Sequence, residues 1–491
     1  MTSTLSADTS SASDHSPASL VGEVGAATPD RRSDIPIYRQ LYQRYKDAIV
    51  SGRLWPGDRV PAVRSLASEL NLSRGTVDLA YQLLIGEGYL LARGPAGTVV
   101  SPQLGRLPEA AAPAIEPTPA QPGNQAAAPL PFQMGLPALD AFPRKLWSRL
   151  AARRVRSLGV AGLAYPNPAG HRGLREQLVA YLGVSRGISC LPDQVFITAG
   201  YRASLDLICR SLLMPGDKVW FEDPGYFYAH NFLQGSGARI VPVPVDDEGI
   251  RVDRGRELAH DARFAVVTPS HQSPLGVSLS LPRRLALLAW ASEAGSWLIE
   301  DDYDSEYRYV GRPLPALKSL DQDGRVLYAG TFSKVMFPAL RLSYLVVPLN
   351  LVDTFTQASR TFQGGCPELW QATVADFMQQ GHFARHLKKM RSLYAERRRF
   401  LAQALEQVFG DQLQVDLQAG GIHLLATLSR DQDDRILSAR AAQHGLSVYA
   451  LSAWRVQAEG PPGLLLSFTN IASAQDASSL AQRLKTAFGW R

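Results

Sequence analysis

A stretch rich in proline and alanine divides this sequence of 491 residues into two parts. Residues 102–131 contain eight prolines, eight alanines and few charges, so they cannot bury enough apolar surface to form a core. We expect them to be a semi-rigid linker between two folded units, residues 35–101 and 132–491. Residues 1–34 carry few large apolar side chains and are predicted to be a disordered tail.

Composition narrows the class of protein. Hydrophobic residues make up 45% and charged residues 20%, which is typical of a globular chain. We find no secretory signal at the N-terminus and no run of about 18 apolar residues, so we expect a cytoplasmic protein without membrane contact. The net charge of +6 allows contact with phosphate groups but does not demonstrate it.

The cysteines Cys190, Cys209 and Cys366 lack metal-binding spacing, so we interpret them as packing residues and expect no metal site.

The first folded unit combines helical segments with two short β-like runs. Apolar residues recur at helical spacing over residues 37–49, and Ser73 is a good N-cap for a later helix that follows a shorter one. Two short β-like runs at residues 89–92 and 98–100 are joined by a glycine-rich turn. This order predicts a winged helix-turn-helix.

In such a motif the second helix enters the major groove, and the wing approaches phosphates or the minor groove. Residues 35–101 hold eight Arg or Lys against five acids, so a solvated charged face is the alternative interpretation. The residues predicted to face DNA are Arg64, Ser73, Arg74, Thr76, Arg93 and Gly94.

The second unit alternates short apolar runs with amphipathic segments, which predicts an α/β domain whose sheet is buried on both faces. From about Leu369 the pattern changes to that of a smaller α+β lobe, with strands at residues 422–428 and 464–469. The predicted strands of the larger lobe are residues 195–198, 218–222, 264–268, 297–300, 326–328 and 344–347.

A lysine beside hydroxyl groups follows one of these strands. Thr331, Ser333 and Lys334 come just after residues 326–328, and Arg341 follows. A pyridoxal phosphate site requires an amine for a Schiff base, together with hydroxyl and guanidinium donors for the phosphate. On its own, however, this motif is explained better by an ordinary lysine at the protein surface than by a cofactor-binding lysine.

Other strand ends carry matching groups. Asp301 can pair with a pyridinium nitrogen, although such an acid could also cap the next helix. Gly200 and Tyr201 open a helix whose free N–H groups can hold a phosphate, and Tyr226 can stack on a pyridine ring. Because the carboxyl ends of parallel strands share one edge of a sheet, we expect these groups to converge.

Two family resemblances rest on these residues. The stretch "RSLASELNLSRGTVDLAYQLL" and its flanks over residues 37–99 resemble the GntR-type winged helix. The chain from Phe132 onward resembles fold-type I aminotransferases. The phrases "TPSHQSPLGV", "IEDDYDSEYRY" and "GTFSKVMFPALRL" are similar to the MocR/GabR-like transcriptional regulators, which join these two domains.

The resemblance implies a pyridoxal phosphate-dependent regulator that binds operator DNA and senses an amine, an amino acid or pyridoxal phosphate itself. It implies the same DNA-facing residues, with Asp78 where relatives often carry Arg. Lys334 would form the internal aldimine and Asp301, or its neighbour Asp302, would face the pyridine nitrogen. Tyr165 would reach the phosphate of a partner subunit, which implies a homodimer with shared cofactor sites. The remaining implied residues are Tyr303 at the phenolic oxygen, Tyr226 on the ring, His271 and Gln272 in the loop beside the ring, and Gly200, Tyr201, Thr331, Ser333 and Arg341 at the phosphate.

The sequence departs from aminotransferases at one place. Residues 464–470 lack the Arg that usually binds the substrate carboxylate, and Arg455 is the nearest candidate. The effector could therefore lack an α-carboxylate, use another anchor or be the cofactor itself. The alternatives to a regulator are a working aminotransferase that carries a DNA-binding module and a DNA-binding protein with a cofactor-free second domain. We interpret the basic run at residues 144–156 as a solvated helix rather than an auxiliary DNA contact.

Overall fold

The computed structural model describes residues 29–31, 33–104, 128–311, 314–429 and 432–490. Most of the predicted tail and linker lies outside these residues. The chain divides into two compact units, with the boundary between Ala126 and Ala127.

The described residues of the first unit form a winged helix-turn-helix, as predicted. Its apolar core includes Leu41, Leu66 and Val77, one from each helix. The helices are α1 (Ile37–Val50), α2 (Val63–Glu69) and α3 (Arg74–Gly86), and the antiparallel sheet has the order β1 (Arg59–Val60), β3 (Thr98–Val100), β2 (Leu90–Ala92). The sequence did not predict the two-residue strand β1, which is too short to show a period.

The second unit is built on an eight-stranded sheet within its described residues, in the order β4-β11-β10-β9-β8-β5-β6-β7. The strands are parallel except β11 and β7, which run antiparallel to their neighbours. The bounds are β4 (Val195–Thr198), β5 (Lys218–Asp223), β6 (Arg239–Asp246), β7 (Gly249–Ile250), β8 (Phe264–Val267), β9 (Trp297–Asp302), β10 (Val326–Thr331) and β11 (Ser343–Val346).

Both faces of this sheet are buried, as predicted. Phe196 and Ile197 are neighbours on β4, yet they belong to different apolar clusters on opposite faces. The sequence missed β6 because Pro242 and Pro244 interrupt its apolar run, and proline argues against a central strand. The helices of this lobe are α4 (Arg144–Arg156), α5 (Arg172–Arg186), α6 (Tyr201–Leu212), α7 (Phe227–Gly235), α8 (Val252–Ala259), α9 (Leu281–Ala294), α10 (Val352–Phe362) and α11 (Glu368–Gln379).

A smaller lobe follows, as predicted. Its antiparallel sheet has the order β12-β13-β15-β14, and it shares an apolar cluster with the larger lobe. Its elements are α12 (His382–Phe409), β12 (Leu413–Asp416), β13 (His423–Leu428), α13 (Asp434–Gln443), β14 (Tyr449–Ala450), β15 (Gly463–Ser467) and α14 (Ala474–Phe488). Among the residues that the structure describes, no helix combines the length and the apolar composition needed to cross a bilayer.

Candidate functional site

A cavity of about 570 Å³ opens in the second unit where β9 and β10 end and α6 begins. This edge of a parallel sheet is where such folds bind ligands. The residues that line the cavity come from both lobes and include Gly135, Leu136, Tyr201, Arg202, Tyr226, Phe227, Tyr228, Ser273, Asp301, Tyr303, Thr331, Ser333, Lys334, Arg341, Ile422, His423, Tyr449 and Trp454.

Lys334 is half-buried in the wall of this cavity and is not a freely exposed surface lysine. Its Nζ donates a hydrogen bond to the carbonyl oxygen of Gly135 over 2.7 Å. A Cβ at Gly135 would lie 2.8 Å from Nζ, so glycine lets the backbone close over the lysine. Burial lowers the pKa of Lys334, against the opposing charges of Asp304 and Asp301. A lowered pKa leaves more of the amine neutral and therefore nucleophilic.

The structure distinguishes between the two adjacent aspartates on β9. Consecutive residues of a strand point to opposite faces, and Asp301 is the one that lines the cavity. Asp302 instead lies 2.8 Å from Arg186 and accepts a hydrogen bond from the Tyr328 hydroxyl over 2.5 Å. Burial raises the pKa of Asp301 to about 8, and the nearby Tyr201 hydroxyl opposes that shift. Asp301 is therefore a buried acid without a cationic partner at hydrogen-bond distance among the described residues.

The predicted phosphate-binding residues meet at the start of α6. Gly200 has a φ of 100°, and a Cβ there would lie 3.1 Å from the Arg341 guanidinium. Arg341 donates to the carbonyl oxygen of Ala199 over 3.0 Å. The Ser333 N–H donates to Thr331 Oγ1 over 3.1 Å, so these two residues form a tight turn, and both line the cavity. Guanidinium, hydroxyl and helix N–H donors are the groups that an anion such as a phosphate requires, and we refer to this set as the anion-binding corner.

Tyr303 lines the cavity, but its predicted neighbours lie behind it. His271 Nδ1 is 2.9 Å from the Tyr303 hydroxyl oxygen, and His271 does not reach the cavity. Gln272 is buried and donates to Glu222 over 3.1 Å and to the carbonyl oxygen of Pro224 over 2.9 Å. Their loop does reach the cavity, and Ser273 is the residue of this loop that lines it.

Two other predicted residues lie outside the cavity of the single chain. Arg455 donates to the carbonyl oxygens of Gly460 and Pro461 over 2.9 Å and 2.7 Å, so its guanidinium is bound within its own loop. It is not a carboxylate anchor in this geometry. Tyr165 is fully exposed and does not line the cavity.

The predicted DNA-facing residues are at the surface of the first unit. Arg64, Arg74 and Arg93 are exposed, and their side chains make no hydrogen bond or ion pair with any described residue. Ser73 caps α3 by accepting from the Thr76 N–H over 3.2 Å, and the two hydroxyl oxygens are 2.7 Å apart. The hydroxyls therefore shape the start of the helix, while the arginines are available to a polyanion. Gly94, with a φ of 56°, lies at the exposed tip of the wing.

Sequence reasoning missed several residues of the cavity. Arg202 directly follows Tyr201, a predicted phosphate-binding residue, on the first turn of α6. Its place in the sequence could therefore have indicated that it lines the cavity. His423, Tyr449 and Trp454 come from the small lobe, far along the chain, and no local pattern connects them with Lys334.

Two family models match this chain. Residues 37–100 match bacterial regulatory proteins of the gntR family, and residues 147–468 match aminotransferase class I and II. The chain is 37% identical to the probable rhizopine catabolism regulatory protein MocR of Rhizobium meliloti, over 90% of this chain and 92% of that protein. It is 32% identical to the pyridoxine biosynthesis transcriptional regulator PdxR of Corynebacterium glutamicum, over 90% of this chain and 94% of that one.

Solved aminotransferases share the fold of the second unit. Kynurenine aminotransferase of Pyrococcus horikoshii has a TM-score of 0.67 and 27% identity, covering 73% of this chain and 90% of the enzyme. LysN of Thermus thermophilus, solved with N-(5'-phosphopyridoxyl)-L-leucine, has a TM-score of 0.67 and 28% identity, covering 73% of this chain and 92% of LysN. A class I and II aminotransferase domain indicates pyridoxal phosphate as the cofactor. With its GntR-type winged helix and its aminotransferase domain, the chain belongs to the MocR-type family of transcriptional regulators.

Proposed function

We propose that this chain binds operator DNA through residues 35–101 and senses an amine, an amino acid or pyridoxal phosphate itself through residues 132–491, with residues 102–131 as the linker. The observation that carries the proposal is the half-buried Lys334 amine in a cavity that Asp301 and the anion-binding corner also line. A purely structural second domain gives no reason to bury an amine and a carboxylic acid around an open cavity.

The residues present fit pyridoxal phosphate. When bound, this cofactor supplies an aldehyde for a primary amine and a pyridine ring that withdraws electrons. Lys334 offers the amine that attaches it, and Asp301 offers a carboxyl group to the ring nitrogen, where a positive charge would favour its ionised form. Tyr226 provides an aromatic face, and the Tyr303 hydroxyl provides a donor for the phenolic oxygen. Gly200, Tyr201, Thr331, Ser333 and Arg341 would hold the phosphate.

The DNA-binding part of the proposal rests on the exposed start of α3 and on the wing. Arg74 and Thr76 lie on the first turn of α3 and would enter the major groove, with Arg64 on the preceding helix and Arg93 and Gly94 on the wing. Ser73 would contribute both as the cap and as a contact to phosphate.

The active form in this proposal is a homodimer with shared cofactor sites. Tyr165 is 100% exposed, and Val160 and Leu163 beside it are 88% and 74% exposed. Exposed apolar side chains at adjoining positions are typical of a surface that a second subunit covers. Tyr165 would then reach the partner's phosphate.

The experiment is visible absorption of the purified protein before and after addition of amines and amino acids, with borohydride trapping and peptide mapping. We expect a visible band that maps to Lys334. In Lys334→Ala, both this band and the effect of the effector on operator binding should be lost. Lys388→Ala, on an exposed position of α12, is the matched control and should keep both. Absence of the band with added cofactor would refute the cofactor site. Production of keto acid at about 1 per second or faster would instead favour a working aminotransferase.

A further inference from the structure

An aromatic wall from both lobes borders the cavity. The rings of Phe227 and Trp454 are 5.3 Å apart and nearly perpendicular, and the Tyr226 ring is 6.0 Å from Trp454. Tyr228 continues the wall, with its ring 4.0 Å from that of Phe227. Edge-to-face and tilted pairs at these distances hold one another in place, so the wall is a preformed surface for an apolar or aromatic body.

The small-lobe part of the wall is fastened to the large lobe. Both carboxylate oxygens of Asp223 are used: Oδ1 accepts from the Val456 N–H over 2.8 Å, and Oδ2 accepts from the N–H groups of Gln457 and Ala458 over 2.7 Å. The Gly225 N–H donates to the carbonyl oxygen of Trp454 over 3.2 Å. Four backbone groups therefore fix Trp454 against the cavity, and its side chain is only 7% exposed.

The cationic groups among the lining residues, Arg202 and Arg341, belong to the large lobe. Arg341 packs against Gly200, and Arg202 is on the first turn of α6, with its guanidinium 5.2 Å from the centre of the Tyr228 ring. On the small-lobe side the lining residues are Ile422, His423, Tyr449 and Trp454. Burial lowers the pKa of His423 to about 4, so this ring is neutral at physiological pH, and its Nε2 is 3.0 Å from the carbonyl oxygen of Pro274.

We infer that the effector selected by this cavity is a primary amine with an apolar or aromatic body and no carboxylate on the carbon that bears the amino group. The inference rests on the proposed function. The small-lobe lining residues offer no cation, and the guanidinium of Arg202 on the large lobe already lies over the Tyr228 ring. A carboxylate turned toward the small lobe would therefore lose its hydration without an ion pair from that lobe, which is costly. An amine meets Lys334 and the cofactor site, while its body gains contact area and ring–ring packing against Trp454 and Phe227.

The test compares amines with the amino acids of the same body on the full-length, cofactor-loaded protein. Phenethylamine is paired with phenylalanine, and tyramine with tyrosine. The readouts are the visible band of the cofactor and the intrinsic tryptophan fluorescence. We expect each amine to give its half-maximal change at a concentration at least about tenfold below that of its amino acid, which corresponds to about 1.4 kcal/mol. Equal potency, or higher potency of the amino acids, would overturn the inference.

Variants of the wall make the test specific. Trp454→Phe should keep the preference for the amine and Trp454→Ala should weaken the response to amines by about tenfold. Tyr449→Arg adds a guanidinium to the small-lobe side and should move the preference toward the amino acid. Arg455→Ala, whose guanidinium is bound within its own loop, should leave the preference unchanged. A loss of the amino-acid response alone in Arg455→Ala would overturn the inference, because it would identify a carboxylate anchor.

Failure of the inference can be told apart from failure of the proposed function. If the wild-type protein shows no cofactor band, the proposed function fails. If the band maps to Lys334 but neither amines nor amino acids change it, the cofactor site stands and the inference is overturned.

Discussion

His271 Nδ1 lies 2.9 Å from the Tyr303 hydroxyl oxygen and 3.1 Å from Asp304 Oδ2. An ionised carboxylate can only accept a hydrogen bond, so the Nδ1 proton is directed toward Asp304 and is shared with the tyrosine oxygen. The Tyr303 hydroxyl then keeps its own proton for the cavity. A hydroxyl that accepts a hydrogen bond is also a better donor, so we expect His271 to position Tyr303 for the proposed cofactor without lining the cavity itself.

His271→Asn should change the titration of the bound chromophore. In the proposed site the Tyr303 donor would stabilise the negatively charged phenolic oxygen of the cofactor, so a weaker donor would move the titration midpoint of the visible band to higher pH. We expect a shift in the same direction as Tyr303→Phe but smaller, measured by absorption against pH. A midpoint that moves in Tyr303→Phe but stays in place in His271→Asn would refute the positioning role.

Gly421→Ala should destabilise the second unit through the same histidine. A Cβ at position 421 would lie 2.0 Å from His271 Cε1, and the φ of 91° is strained for any other residue. We expect a loss of about 2 to 4 kcal/mol of unfolding free energy by denaturant titration. Gly445→Ala is the control, because Gly445 also has positive φ (70°) but open space around it. It should lose only about 1 kcal/mol.

Asp223→Asn should loosen the attachment of the small-lobe loop. The amide keeps one acceptor oxygen where the carboxylate uses both, so at least one of the N–H bonds from residues 456–458 is lost. Charge-assisted bonds of this kind contribute about 1.5 to 3 kcal/mol, so amide hydrogen exchange at residues 456–458 should be at least about tenfold faster. Asp217→Asn affects a turn of its own, where the carboxylate accepts from the Met214 N–H, and should leave that exchange unchanged.

Asp301 should make the stability of the cofactor-free protein depend on pH. The pKa of about 8 in the folded state lies above the ordinary 3.8, so between these values the folded protein holds a proton that the unfolded chain has released. The free energy of unfolding therefore falls as pH rises through this window, by at most about 1.4 kcal/mol per pH unit. Asp301→Asn should flatten this dependence in denaturant titrations at several pH values. If the unfolding free energy of Asp301→Asn depended on pH as steeply as that of the wild-type protein, the raised pKa of Asp301 would be contradicted.

Arg74→Ala should weaken operator binding. An exposed arginine on the first turn of the recognition helix can contact bases or phosphates, and its loss should cost about 1 to 3 kcal/mol of binding free energy. The dependence of affinity on salt separates the two cases, because a lost phosphate contact reduces the salt slope by about 1. Arg53→Ala, outside the predicted interface, is the matched control, and equal losses in both variants would refute the assigned interface.

Much of the architecture could be predicted because the signals are local. Ser73 begins a helix by accepting from the Thr76 N–H three residues away, and the apolar period of α1 needs only neighbouring turns. The strand-end groups around Lys334 also follow a simple rule, since parallel strands deliver their carboxyl ends to one edge. Where a local signal was broken, as by Pro242 and Pro244 in β6, the prediction failed.

The sequence by itself determined the two kinds of domain and the chemical character of the cofactor site, because periodicity, caps and strand-end residues act over a few positions. Only the tertiary structure decided that Asp301 rather than Asp302 faces the cavity, because that choice depends on where Arg186 and Tyr328 bind the other carboxylate. It also decided that Gly135 closes over Lys334 and that Trp454 completes the wall. Those contacts join residues more than a hundred positions apart, and only packing of the whole chain brings them together.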